Sequence, residues 1–407
     1  YAEVVLNARA ADITHPAFSK LFVQTEWVAE QRALLARRRS RAVGEPVCWL
    51  VHALADGDDR AEPVEYETDR VRFIGRGHSM AAPQALTRAT PLSGTVGNVL
   101  DPIVSLRRTV RLAAGESAQV SFLLGAAAER EAALALLTPY RDSTRIEAAF
   151  QTALASPAVA FKPPLPVSPV PAAPLPDATE SCADAPSPEE TLQFWNGYGG
   201  FNATGDEYVI RIQANDDGRP QLPPQPWINV VANPQFGFIV SETGAGYTWS
   251  RNSRENRLTP WYNDPVLDPH GEALYLRDED SGAFWSPLPG PVAPTAPYET
   301  RHGFGYSRYR HASHGLTHDT WLFAPREDPV KITRVRLHNA SDRPRRLSLF
   351  AYARLVLGVL PGDHAADAII EREATTGALL AENHNREFAG RMVFAAMTPL
   401  DGVPIHV

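Results

Sequence analysis

An all-β fold built from β-sandwich regions is predicted for this chain, and three observations carry that prediction. Strand-length runs recur every ~8–12 residues with turn signals between them. Helical periodicity is confined to one short segment, residues 126–155. A stretch dominated by Pro and Ala, residues 156–190, divides the strand-bearing sequence in two.

Taken in order, residues 1–125 read mostly as strands. Tyr1 to Leu6 and Val47 to Leu54 are short apolar or alternating runs. Tyr66-Glu67-Thr68-Asp69-Arg70 leads into Val71, Phe73 and Gly75-Arg76-Gly77. Ser93-Gly94-Thr95-Val96-Gly97 is a Gly-rich turn; no Lys-Ser/Thr follows and its flanks look like strands, so it is not a phosphate loop. Val110 and Leu112 alternate with polar or small neighbours, Ala114-Gly115-Glu116-Ser117 turns, and Gln119 to Leu124 returns, as in a sandwich-closing hairpin. Arg37, Arg38, Arg39 and Arg41 are expected to end a helix or to lie on a solvated face.

The period then changes. Glu129 to Leu137 suits one helix, and Arg145 to Leu154 suits another, with Ile146, Ala149, Phe150 and Ala153 on one face. Residues 156–190 cannot build a core and favour an extended, semi-rigid linker. Strands resume in residues 191–407. Asn196 to Phe201 is an aromatic-Gly turn, Tyr208 to Ile212 a strand, and Asn215-Asp216-Asp217-Gly218 a turn. Val230 to Val240 holds two apolar runs split by Asn233-Pro234. Glu272 to Arg277 is a strand with a hairpin turn into Phe284-Trp285. Lys331 to Leu337 alternates, Asn339 to Asp342 turns, Arg346 to Tyr352 returns, and Val393 to Ala396 is a further strand.

One stretch stands apart, Gly246 to Asp264. Arg251, Arg254 and Arg257 offer forked donors; Asn252, Asn256 and Asn263 offer paired donor and acceptor. Trp249, Trp261 and Tyr262 offer flat apolar faces, and Glu255 and Asp264 are acceptors able to lock the arginines. A core strand would need a buried partner for each polar group, and Pro260 would interrupt a helix. The stretch therefore reads as an ordered loop on a β scaffold, where binding residues collect. Sugars suit it, since Asn, Asp and Arg bond ring-edge hydroxyls while Trp and Tyr cover the C–H face. A loop tied down by its own Arg–carboxylate forks is the competing account.

Composition sets bounds on function. The 407 residues are 44% hydrophobic and 21% charged, as in ordinary globular proteins, and allow two or three domains. A formal net charge of -8 argues against a nucleic-acid partner. Cys48 and Cys182 are too few for a disulfide framework or a zinc site, so a reducing compartment is expected. No run of ~18 apolar residues and no signal-peptide pattern occurs. Tyr1 is not Met and Val407 ends a strand-like run, so the chain is expected to be a piece of something longer.

His302, His311, His314 and His318 are loosely spaced without a bracketing carboxylate pair, and read as surface or loop histidines rather than a metal site. Asp264 with Glu272 is a candidate acid/base pair whose separation the sequence does not define. No Ser nucleophile elbow or Cys–His signature occurs. Trp27 is expected in a core rather than as a sugar platform.

Pro226-Trp227-Ile228-Asn229-Val230, Phe236-Gly237-Phe238, Ser241-Glu242-Thr243-Gly244, Tyr247-Thr248-Trp249-Ser250, Asn252 to Trp261 and Gly271 to Asp278 resemble the supersandwich of glycoside hydrolase family 94. His15 to Phe22, Thr25-Glu26-Trp27, Tyr66 to Arg70, Pro91 to Gly97 and Leu100 to Ile103 resemble the end of a related sandwich. That family includes cellobiose and chitobiose phosphorylases, and the likeness extends to the bacterial cyclic β-1,2-glucan synthases, which carry two such sandwiches in tandem. The resemblance covers most of the chain outside 156–190.

The resemblance implies a galactose-mutarotase-like supersandwich fold, with 1–125 the end of a first supersandwich, 126–155 helical, 156–190 a linker and 191–407 a second, truncated supersandwich. It implies that the catalytic acid and the phosphate site lie in an (α/α)6 barrel that follows the sandwich, so no catalytic residue, cofactor or metal is expected in this chain. Trp249, Arg254, Asn256, Arg257, Trp261, Asn263 and Asp264 match the stretch expected to reach substrate. The expected partners are a β-glucan oligosaccharide and the barrel of the same parent protein, with a homodimer as a further option. The expected location is the cytoplasmic side, the parent being associated with the inner membrane. A purely structural docking module and an autonomous glycosidase or mutarotase-like enzyme are the alternatives. One departure is clear: those synthases carry a longer, largely helical section between sandwiches than residues 126–155 provide.

Overall fold

A computed structural model describes residues 1–7, 16–55, 63–87, 90–155, 190–215, 219–293, 297–360, 367–384 and 389–398. His15, Cys182, residues 156–189, the Asp216–Gly218 turn residues and Val407 lie outside them. The chain divides into two compact units, Tyr1–Ala173 and Pro174–Val407. Strands dominate both, and the fold is all-β with few short helices.

The first unit holds strands β1 (Ala2–Glu3), β2 (Val23–Val28), β3 (Ala33–Arg38), β4 (Trp49–Leu54), β5 (Glu65–Asp69), β6 (Pro102–Arg107) and β7 (Phe122–Ala127). They form a three-stranded sheet β1-β6-β5 and a four-stranded sheet β2-β3-β4-β7. β3 explains the layering. Its Ala-Leu-Leu-Ala run is buried on both faces: Leu34 and Ala36 join Val4, Val23, Val104 and Leu106, while Ala33 and Leu35 join Ala133, Leu134 and Leu137. One face thus packs on the partner sheet and the other on the helix Arg130–Ala135, which is why apolar residues run continuously rather than alternating.

The motifs of this unit meet in its polar interior. Thr25 Oγ1 lies 2.9 Å from Thr68 Oγ1, which donates to the Thr95 carbonyl at 2.7 Å. Glu67 accepts from the Thr68 and Asp69 N–H, each at 3.0 Å, and from Ser93 Oγ at 2.6 Å. Asp101 pairs with buried Arg70 at 2.9 Å and with Lys20 at 2.6 Å. Trp27 is half-buried and stacks on Tyr66 at 4.2 Å, so it packs on the core.

Two expectations for this unit are corrected. Arg37 and Arg38 end strand β3 rather than a helix, and Arg38 is buried against Glu45, while Arg37, Arg39 and Arg41 are exposed, as on a solvated face. No strand forms from Val110 to Val120; β6 stops at Arg107, and Val110, Leu112 and Val120 are exposed, so their alternation has nothing to pack against.

The second unit holds β8 (Gly199–Phe201), β9 (Glu207–Ile212), β10 (Ile228–Ala232), β11 (Phe236–Ser241), β12 (Gly246–Ser250), β13 (Glu272–Asp278), β14 (Phe284–Trp285), β15 (Tyr298–Gly303), β16 (Tyr306–Ser313), β17 (Leu316–Phe323), β18 (Ile332–Asn339), β19 (Leu347–Ala353), β20 (Ala368–Arg372), β21 (Leu379–Asn383) and β22 (Met392–Ala395). A six-stranded antiparallel sheet, β18-β17-β16-β15-β9-β8, is its base. Val231, Phe238 and Val240 of β10 and β11 pack on Tyr309 and Leu322 of that sheet. Leu276 and Trp285 of the sheet β14-β13-β19 pack on Leu316, with Leu337 alongside. The sheet β20-β21-β22 contributes Ala381 to a cluster with Phe236, Leu258 and Leu357.

The sequence predicts that β18 and β19 are a strand and its return, yet they do not pair: β18 joins β17, and β19 joins β13. The connection therefore crosses between sheets. The polar link is Asp278, whose carboxylate accepts from Arg345 Nη2 at 2.5 Å and Nε at 3.0 Å, and from the Asp280 and Ser281 N–H. Burial pushes this carboxyl up, but those bonds and the guanidinium charge hold it down at about 2.

Gly246–Asp264, read as a loop, begins as strand β12, and the loop proper starts at Arg251. The polar Thr248 is tolerated there because its hydroxyl has a half-buried carboxylate partner, described below. β12 approaches β11 so closely at Gly246 that an added Cβ would sit 1.9 Å from the Ile239 carbonyl oxygen. Gly246→Ala is therefore expected to cost about 3 kcal/mol or more, by backbone displacement. Urea denaturation of the variant against the parent chain checks this.

Candidate functional site

The loop after β12 folds back along its own strand. Arg257 bridges to Trp249 on one side and to Gly358 on the other, and the Leu258 N–H donates to the Thr248 carbonyl at 2.8 Å. The turn is drawn by Asn252, whose Oδ1 accepts from the N–H of Arg254 (2.9 Å) and Glu255 (3.0 Å). Asn256 is buried and donates through Nδ2 to the Ser250 carbonyl at 3.1 Å. Arg257 donates through Nη1 to Val359 (3.2 Å) and through Nε to Ser253 (3.3 Å), and lies 5.7 Å from the Tyr247 ring centroid.

Trp249 lies flat on Gly237: a Cβ at Gly237 would meet its Cζ2 at 2.4 Å. Tyr247 then bridges two tryptophans, with ring centroids 5.2 Å from Trp249 and 5.2 Å from Trp261. Of the seven predicted site residues, Trp249, Asn256 and Arg257 thus build the frame of the loop. Arg254 is exposed and pairs with Glu255 at 3.1 Å.

The other three come together. Trp261, Asn263 and Asp264 line a cleft of ≈ 160 Å³ with Tyr262 and Pro265. Gln225 and Pro226, just before β10, and Ile228, its first residue, form part of its lining, as do Asp268 and Pro269. Asn263 sits at φ 48, a left-handed conformation that Asn tolerates. Asp264 Oδ1 accepts from the Val266 (3.0 Å) and Leu267 (3.1 Å) N–H and holds the turn. Asp268 accepts at Oδ2 from Ser241 Oγ (2.8 Å) and Thr243 Oγ1 (2.6 Å), which fixes the cleft to the end of β11. The sequence marks the Gln225 side only through Pro226, which begins a run resembling the family's supersandwich.

Behind the loop lies Glu272. Its Oε1 accepts from Thr248 Oγ1 and Thr259 Oγ1, both at 2.6 Å, and its Oε2 meets Lys331 Nζ at 2.6 Å. Burial pushes this carboxyl up, but the Lys331 charge and the two hydroxyls bring it below the usual value. Lys331 also lies 4.6 Å from the Phe238 ring centroid. Glu272 is thus held ionised, with both oxygens engaged, and is not poised to donate a proton.

The histidines are corrected outright. His302, His311 and His318 lie on β15, β16 and β17, and His311, His314 and His318 are buried. They form a stacked interior with Tyr298–His311 at 3.7 Å, His311–His318 at 5.3 Å and Trp285–His314 at 4.0 Å. Trp285 Nε1 donates to His318 Nε2 at 3.0 Å, so the ring proton sits on Nδ1 and reaches the His311 carbonyl at 3.3 Å. β17 alternates in burial along its whole length, but His318 and Thr320 point inward, and that hid the strand from an apolar-pattern reading. Among the described residues, no group of three His, Cys, Asp or Glu side chains is arranged to hold a metal ion. Nor is any helix among them long and apolar enough to cross a membrane.

Comparison with known proteins follows the same lines. The family described as glycosyl hydrolase 94, supersandwich domain, matches residues 1–143 and 206–405. The cyclic beta-(1,2)-glucan synthase NdvB of Rhizobium meliloti is 28% identical over 571 aligned positions, covering 97% of this chain and 20% of that protein. The N,N'-diacetylchitobiose phosphorylase of Vibrio furnissii is 33% identical over 41% of this chain and 20% of its own length. Solabiose phosphorylase of Paenibacillus borealis is 28% identical over 40% of this chain and 20% of its own length. The chain therefore spans a fifth of the length of these relatives. The first alignment is longer than the chain, so the synthase carries residues without a counterpart here.

Two outcomes follow from this geometry. Burial lowers His302 and His318 from 6.5 to about 4 and takes His311 well below its usual value. The unfolded chain then binds protons that the folded one does not, so stability is complete above pH 6.5 and falls as the pH drops toward about 4. Each of the two is expected to contribute about 3 kcal/mol over that window; urea midpoints measured across it, with His318→Gln showing a shallower fall, check the sign. Removing the Lys331 charge strands the Glu272 carboxylate, so Lys331→Met is expected to destabilise by about 2 kcal/mol or more at neutral pH, read from the same denaturation curves.

Proposed function

The chain belongs to the glycosyl hydrolase 94 family through its supersandwich domain, and from that premise we propose that it holds a β-glucan rather than cleaving one. The observation that carries this reading is the cleft lined by Trp261, Tyr262, Asn263, Asp264 and Gln225. Aromatic faces cover sugar C–H groups, and amide and carboxylate edges bond hydroxyls. Each neutral hydrogen bond adds about 0.5–1.5 kcal/mol, so affinity for short glucans is weak. The names of the relatives, a β-1,2-glucan synthase and several disaccharide phosphorylases, point to β-linked sugar as the ligand.

The absence of catalysis is part of the proposal. Glu272 has both oxygens engaged and stays ionised, and Asp264 Oδ1 is taken by backbone N–H groups. Neither is arranged as a general acid. Bond-making is assigned to an (α/α)6 barrel of the parent protein, on the cytoplasmic side of the inner membrane, with no cofactor bound by this chain. Trp249, Asn256 and Arg257 serve by holding the loop; Arg254 contributes a rim donor.

A second reading is favoured by the exposed run Arg251 to Arg254, which projects polar side chains without burying them. There the loop docks on the barrel or a partner subunit and touches no sugar.

Calorimetric titration of the folded chain with β-1,2-glucooligosaccharides separates the two. Weak binding that Trp261→Ala reduces about tenfold supports the proposal; no heat at millimolar ligand favours the docking role. Sugar release or anomer interconversion by the purified chain would overturn both.

A further inference from the structure

The first unit carries a second candidate site that the glucan reading does not use. β3 ends at Arg38, and Arg39, Ser40 and Arg41 follow it. Three guanidiniums gather on one ring: Arg38, Arg39 and Arg41 lie 5.6, 5.9 and 4.8 Å from the Phe22 centroid. Arg41 also lies 5.1 Å from Phe18, which meets Phe22 edge-on at 5.4 Å. Phe22, Arg39, Ser40 and Arg41 line a shallow, open pocket.

Charge makes this arrangement unusual. Among the described residues, Glu45 is the acid that meets this cluster, and it is taken by the Arg38 guanidinium and by the Arg41 backbone N–H at 2.6 Å. Among the described residues, the side chains of Arg39 and Arg41 meet aromatic rings and no carboxylate. The Arg38 Nε is buried without a hydrogen-bond partner among them. The whole chain is acidic, at -8, so this positive spot does not follow from its overall charge. Guanidiniums stacked on aromatic rings keep their N–H edges free, and two such forks side by side match the oxygens of a phosphate group.

We propose that this pocket binds a phosphate monoester. The phosphoryl oxygens are held by Arg39, Arg41 and the Ser40 hydroxyl, and the organic part lies against Phe22. The pocket is shallow and open, which leaves room for an organic group beside the phosphate, and two unpaired positive charges match a dianion. Such a group reaches the pocket either as a free phosphate ester or as a lipid headgroup; the recognised chemistry is the same.

The test uses the full 407-residue chain at low salt. It is titrated calorimetrically with phenyl phosphate and with inorganic phosphate, and sedimented with phosphatidylcholine vesicles with and without phosphatidic acid. Phenyl phosphate is expected to bind more tightly than phosphate, and added salt to weaken both. The double variant Arg39→Gln, Arg41→Gln changes exposed side chains and is expected to melt as the parent does, with binding weakened more than about tenfold. Phe22→Leu is expected to lose the preference for phenyl phosphate while still binding phosphate. Binding in solution assigns the source to a soluble ester, and binding only to phosphatidic acid vesicles assigns it to a lipid; both uphold the site. No heat and no co-sedimentation from the folded chain, or unchanged binding by the double variant, would overturn it.

Discussion

The Glu272 carboxylate is the point on which the second unit turns. It stands at the start of β13, yet its partners come from β12, from the loop that follows β12 and from the residue before β18. Three separate segments are thus tied to one half-buried charge. A carboxylate in such a place is costly unless every oxygen is satisfied, and here two hydroxyls and an ammonium satisfy it. The arrangement specifies how β12, β13 and β18 meet, because any slip would leave a charge unpaired.

The cleft inherits its shape from that knot. Thr259 holds the loop just before Pro260 and Trp261, while Thr248 holds the strand between Tyr247 and Trp249. Tyr247 then sets the positions of both tryptophans. A preformed aromatic face spends little ordering entropy when a ligand arrives, which matters where each sugar contact is weak. The same economy of parts governs the first unit, where Thr25, Glu67, Arg70 and Asp101 link loops that the sequence separates widely.

Residue type made the loop legible in the sequence, and residue type also set the limit. Trp249, Asn256 and Arg257 are of residue types suited to sugars, but their side chains turn to Gly237, Ser250 and Val359. Direction within a loop depends on tertiary contacts that no local pattern encodes. Gln225 and Ile228 reach the cleft from a distant segment for the same reason. The all-β class was legible because turns punctuate the chain so regularly. The histidine strands were not, because β16 and β17 point His311, His318 and Thr320 inward, where an apolar pattern expects Leu or Val. The exposed Val110–Val120 stretch is the converse case: strand-like alternation without a surface to bury against.

Amide hydrogen exchange across Arg251–Leu267, with and without a β-1,2-glucan, tests most directly whether this loop is a rigid grip built on Glu272. The account predicts slow exchange at Asn256 and Leu258 in the free protein, and further slowing at Val266 and Leu267 when glucan is added. Exchange at the rate of an unstructured peptide before glucan is added, or exchange untouched by saturating glucan, would contradict it.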